Sequence, residues 1–200
     1  NTAIGYSSLG SNTTGSANTS VGHNSMALNT TGTQNVALGM QTLFHNNADN
    51  NVAVGHYCLE SNTSGANNVG VGKSALDACT TGSSNTAVGT NAGLDLTTAT
   101  DSAFFGNSAG SNVTTGSFNT ALGGNSLRDC TTGANNVAIG INAALTLETG
   151  AQNVAIGANT LRGASGSGSN NVAIGTSTLN VTTSGSNNTG VGTSALGSNT

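Results

Sequence analysis

The sequence predicts an all-β protein, a parallel β-solenoid (β-roll) of twelve coils of about 17 residues each, running through residues 1–200 as a single repeat array. Three observations predict it. A pentapeptide of the type Asn136-Val137-Ala138-Ile139-Gly140 recurs, its glycine falling at Gly5, Gly22, Gly39, Gly55, Gly72, Gly89, Gly106, Gly123, Gly140, Gly157, Gly175 and Gly192, always 17 residues apart except for one interval of 16 and one of 18. An aliphatic or aromatic residue precedes that glycine in every copy. The chain also carries 5% charged and 3% aromatic residues, 30 glycines and no proline. Strict periodicity separates it from a disordered polar chain, and units this short need stacked neighbours to bury a core.

Each copy is numbered from slot one at the Asn to slot seventeen. Slot two is Val or Thr except at Ala103, and slot four is always apolar, from Ile4 and Val21 to Ile174 and Val191. Residues two apart share a face of a strand and β-branched types favour strands, so slots one to five are expected to form a strand whose even face is buried. Slot three is Ala, Ser or Gly except at Phe104, and slot five is always Gly. Either a neighbour packs close on this odd face or the glycine takes a positive φ. Slot eight is small and slot nine usually Leu, as in Leu9, Leu43, Leu127 and Leu161. A second short strand over slots seven to eleven would bring that Leu onto the slot-four aliphatic.

Slot twelve mixes Asn12, Asn29 and Asn62 with Cys79, Leu96, Val113, Cys130 and Leu147, as expected of an inward position filled by apolar groups or by amides bonded to adjacent coils. Thr-Thr-Gly in slots thirteen to fifteen, as at Thr131-Thr132-Gly133, is turn chemistry, and the Asn at slot one predicts an amide ladder. The copy at 102–118 departs most, with Ser102 for Asn and Phe104-Phe105 for the usual pair, which predicts a widened core or an aromatic plug. Slots six and ten vary freely, so they face solvent or a partner. Tyr6, His23, Met40, His56 and Lys73 in slot six are the candidate ligand-facing residues.

Composition excludes several functions. The net charge is −4 with three basic residues, so no patch exists to neutralise phosphates, and nucleic acid is excluded as a partner. No apolar run suits membrane insertion. The acids are scattered, and no Ser, His and acid set stands in triad order, so no enzyme, cofactor or metal centre is expected. His23 and His56 lie two coils, about 10 Å, apart, so one ion cannot bridge them within a chain. Cys79 and Cys130 lie three coils apart, too far for a disulfide. With Cys58 they read as apolar fillers, or else as thiols pairing between symmetry-related chains. Seven Asn-Xaa-Ser/Thr sequons, at Asn12, Asn18, Asn29, Asn62, Asn112, Asn180 and Asn187, are expected by chance in so polar a chain.

At Asn136–Gly140, Asn153–Gly157 and Asn171–Gly175 the chain resembles the head repeats of trimeric autotransporter adhesins. The phrase from Asn119 to Gly133, with Thr-Ala-Leu-Gly, Leu127 and Thr-Thr-Gly, resembles repeats of bacteriophage tail fibres. The resemblance implies a left-handed roll, a homotrimer, and an extracellular, cell-surface or virion setting. The expected function is a structural or adhesive fibre segment that spaces or presents a surface for a receptor or glycan. A thin core and a face of Ala and Gly argue for association independently. The alternative is an ice-binding solenoid with stacked Thr, weakened because adjacent Thr cannot both point outward and because the ladder breaks at Asn46-Asn47 and Ser165-Gly166. A polysaccharide-cleaving solenoid would need clustered acids and aromatic platforms.

Overall fold

A computed structural model describes residues 1–163, 166–180 and 184–197. Twelve three-residue strands succeed one another: β1 Thr2–Ile4, β2 Thr19–Val21, β3 Val36–Leu38, β4 Val52–Val54, β5 Val69–Val71, β6 Thr86–Val88, β7 Ala103–Phe105, β8 Thr120–Leu122, β9 Val137–Ile139, β10 Val154–Ile156, β11 Val172–Ile174 and β12 Thr189–Val191. They form one parallel sheet in strict sequence order, each strand pairing with the next coil at the same slot, as Val137 does with Val154. The fold is a β-solenoid, and there is no helix among the described residues.

Each strand is inverted relative to the expectation from its bulky residues. Slot three faces the core: Ala37, Ala53, Ala87, Ala121, Ala138, Ala155 and Ala173 are wholly buried. Slots two and four face outward, and Ile4, Leu38, Phe105, Leu122, Ile174 and Val191 are all exposed. The reason is the width of the coil. The slot-nine side chains, Leu59, Leu76, Leu127 and Leu161 among them, are wholly buried and fill the interior from the opposite side, leaving room for little more than a methyl at slot three. The small face therefore meets the chain's own leucines, and no neighbouring chain is needed to cover it.

The expected second strand does not form either. Slots six to eleven are turn, with left-handed residues at slots seven and nine, as at Asn125 (φ 55°) and Leu127 (φ 52°). Slot seventeen is left-handed as well, held by Asn67, Asn135 and Asn170 near φ 60°. A leucine in this region costs on the order of 1 kcal/mol, which burial of its side chain, worth about 2 kcal/mol, offsets. The turns are still ladders: the Leu127 amide donates to Ala143 O at 2.9 Å and that of Asp129 to Leu145 O at 2.9 Å.

Both explanations offered for the slot-five glycine hold. Gly72 has φ 134°, and a Cβ there would stand 2.5 Å from the Gly89 carbonyl oxygen of the next coil.

Slot one carries the predicted amide ladder, wholly or almost wholly buried from Asn18 to Asn171. Asn136 Nδ2 donates to Asn119 Oδ1 at 3.2 Å and to Gly150 O at 2.9 Å, while its Oδ1 accepts the Asn153 amide at 3.0 Å and Asn153 Nδ2 at 3.1 Å. Ser102 interrupts the side-chain amides but not the chain of bonds: its amide donates to Asn85 Oδ1 and its hydroxyl accepts the Asn119 amide. Slot twelve points inward as expected, and Asn12, Asn29, Asn46 and Asn62 form a second, shorter ladder. The short coil keeps register because Ala48 supplies the carbonyl that glycine supplies in most coils and Ala99 in one, accepting Asn35 Nδ2 at 2.8 Å. In the long coil, Asn153 reaches Gly168 O at 2.9 Å.

Phe104 is an aromatic plug, wholly buried. Slot nine is glycine in its own coil and in the preceding one, and a Cβ on Gly110 or Gly93 would meet the Phe104 ring at or within about 3.0 Å. One phenyl ring replaces two leucines.

Candidate functional surface

The stack places the slot-six residues in one file along successive coils. The slot-seven amide of each coil donates to the slot-six carbonyl before it, as Asn24 does to Tyr6 (2.9 Å), Gln41 to His23 (3.0 Å) and Ser74 to His56 (2.9 Å). Tyr6 and His23 stack with ring centroids 5.4 Å apart, and Met40 and Lys73 are exposed. His56 is half-buried and stacks on Tyr57 at 3.8 Å. Its Nε2 is enclosed without a hydrogen-bond partner. These five candidates therefore share a surface line but do not converge on a point. From Thr90 onward the same file holds Asn107, Gly124, Ile141 and Ala158, so its chemically distinctive part is the first five coils.

Beside the file lies a pair of acids in slot ten. Glu60 and Asp77 occupy slot ten of adjacent coils, with their carboxyls within hydrogen-bonding reach of each other. Burial, then the charge of Asp77, pushes the Glu60 carboxyl up, with His45 and His56 opposing. Burial also pushes Asp77 up, Asp95 adding to it. Gln41 Nε2 donates to Glu60 Oε1 at 3.2 Å, and His45 Nδ1 lies 3.1 Å from Glu60 O. The available signal was the shared slot number, because identical slots in neighbouring coils are contacts. Among the described residues no group of three or more His, Cys, Asp or Glu is placed to hold a metal ion.

The cysteines are buried inside their own chain, which removes the pairing between chains. Cys79 and Cys130 Sγ each point to a glycine carbonyl three residues on, at 3.5 Å. Burial pushes the thiols up to about 12 at Cys58 and Cys79 and about 11 at Cys130. Asn18, Asn29 and Asn62 of the sequons are buried in the ladders, and Asn12 bonds within the shorter one. Asn112 donates to Asp129, and Asn187 is exposed. The sequon at Asn180 runs into residues outside those described.

The Thr pairs divide as expected. Slot-thirteen hydroxyls donate to the next coil, as Thr63 does to Thr80 O (2.9 Å) and Thr114 to Thr131 O (3.0 Å). Slot fourteen is an exposed single file, Ser64, Thr81, Thr98, Thr115, Thr132 and Thr149. The ladder break expected at Ser165 lies outside the described residues.

A further feature of the surface is the one inverted from expectation, the outward stripe of slots two and four. It runs the whole sheet and contains only Val, Ile, Leu, Phe, Thr and Ala. Comparison of the chain with family models, with curated proteins and with solved structures finds no match.

Proposed function

We propose that the chain is a structural segment of an extracellular or virion fibre, self-associating through the slot-two and slot-four stripe and presenting its variable slots to a receptor or glycan. It has no catalytic role in this reading. The observation that carries it is the uninterrupted uncharged stripe on the outside of β1 to β12. The stripe spans all twelve strands, so two copies packed along it would meet over the full length of the sheet. The homotrimer comes from the resemblance to adhesin heads, now with the bulky face as the interface in place of the Ala and Gly face. Twelve coils at about 4.8 Å give a rod on the order of 55 Å.

The test is solution mass together with small-angle scattering. The expected result is a rod with a mass about three times 19.3 kDa. A monomer refutes the reading. Ice binding has less support, since one file of exposed hydroxyls remains once slot thirteen is bonded to backbone. Freezing hysteresis would decide for it, and its absence removes it.

A further inference from the structure

The stripe is nearly uniform, with one exception. In β7 slot two shrinks to Ala103 while slot four grows to Phe105, which is 39% exposed. Phe104 between them points the other way and serves the core, so the core does not account for Phe105 or for the small residue two positions before it. A hole and a knob stand side by side at one level of the rod.

Copies packed in parallel, stripe to stripe, set the slot-four edge of one chain against the slot-two edge of the next, whatever the number of chains. In eleven coils that contact joins Val or Thr to Val, Ile or Leu. Such contacts discriminate poorly between registers, because a slip of one coil replaces each with a near-equivalent. At β7 the contact joins a methyl to a phenyl ring. We propose that Ala103 and Phe105 form a register key, by which copies of this chain associate in parallel with identical coils level.

A slip of one coil would drive Phe105 against Thr86 or Thr120 and leave Ala103 opposite Val88 or Leu122, one contact overfilled and the other void. The inference rests on the self-association proposed above and adds to it the partner, its direction and its axial position.

Disulfide trapping tests it in the full chain. A chain carrying Val88→Cys is mixed with one carrying Thr86→Cys, which reports identical coils level, or with one carrying Val69→Cys, which reports a slip of one coil. The native cysteines are buried and do not compete. The level pair is expected to exceed the slipped pair by about tenfold, the factor that overpacking of one large side chain imposes. Flattening the key with Ala103→Val and Phe105→Val should bring the two yields together, and the exchanged chain, Ala103→Phe with Phe105→Ala, should restore the preference because knob and hole still meet. These positions are outward, so circular dichroism and the melting profile should be those of the parent. An associated chain that traps both pairs equally overturns the key and leaves self-association standing. So does a flattened chain that keeps the parent's preference, or an exchanged chain that fails to restore it. A monomeric mass overturns self-association itself and the key with it.

Discussion

Replacing Asn136 probes the slot-one ladder, and the cost follows from its four bonds. Asn136→Ala removes the donors that serve Asn119 Oδ1 and Gly150 O and the acceptor that serves the Asn153 amide and Nδ2. The site is 1% exposed, so water does not replace them. At roughly 1–3 kcal/mol for each buried group left unpaired, with partial relaxation, the loss should be about 3–4 kcal/mol, a large part of the stability of an ordinary domain. Asn136→Asp is the sharper variant because it nearly keeps shape while exchanging two donors for acceptors and adding a buried charge. Its carboxyl pKa should be raised in the folded state. The penalty is therefore full above that folded pKa and recedes as pH falls through it, where the protonated acid regains one donor. Denaturant unfolding of the three chains at fixed concentration, at neutral pH and near pH 4, provides the assay. The Asp chain is expected to be the weakest at neutral pH and to recover on acidification. If Asn136→Asp unfolds at the parent's midpoint at neutral pH, the ladder is not a source of stability and the reasoning fails.

Four other outcomes are expected. Phe104→Ala should cost about 4 kcal/mol by opening a cavity, and adding Gly110→Leu should recover part of it, since Gly110 (φ 58°) already holds the backbone that slot-nine leucines adopt; a thermal melt without rescue contradicts the shared-space account. Glu60→Gln should raise the melting temperature at pH 7 and weaken its pH dependence. Because the Glu60 and Asp77 pKa values are raised, their contribution is present at low pH and lost as pH rises through the folded values, so the parent should gain stability on mild acidification and the variant less. The three thiols should resist iodoacetamide until the chain unfolds, and the melting temperature should fall as pH climbs from about 9 toward 12, the window between ordinary and folded thiol pKa values. Phe118→Asn should stabilise by about 1 kcal/mol, since Phe118 holds φ 61° while 56% exposed and asparagine fills that slot in other coils.

Period, strand position, the inward slots nine and twelve and the amide ladder were all legible, because each depends on one residue type recurring at one slot. Which face of the strand points inward was not. Val137 and Ile139 are more hydrophobic than Ala138, and hydrophobicity alone sends the bulky pair inside. Volume decides otherwise: a 17-residue coil encloses little space, and Leu127 and Leu161 take it. One passage did record this, since Phe104 at slot three coincides with glycine at Gly93 and Gly110 where leucine is the rule. Left-handed leucines gave no signal, as nothing in their identity favours φ near 50°. On the surface, the slot-six file was legible as variation. The Glu60–Asp77 pair is not evident along the chain, where the two acids stand 17 residues apart, and emerges only when slot is set against slot.

The ladder continues through both irregular coils, with Ala48 and Gly168 supplying the carbonyls, and this gives the molecule one forgiving corner. Length can change there by a residue without moving a strand, so that corner is a natural graft point for an inserted peptide. Elsewhere the unit of change is the whole coil. Duplicating or excising a coil would alter the rod's reach in steps of about 4.8 Å while every remaining junction stayed the same. Such a protein can be retuned as a ruler by recombination between its own repeats, without any new contact having to be invented.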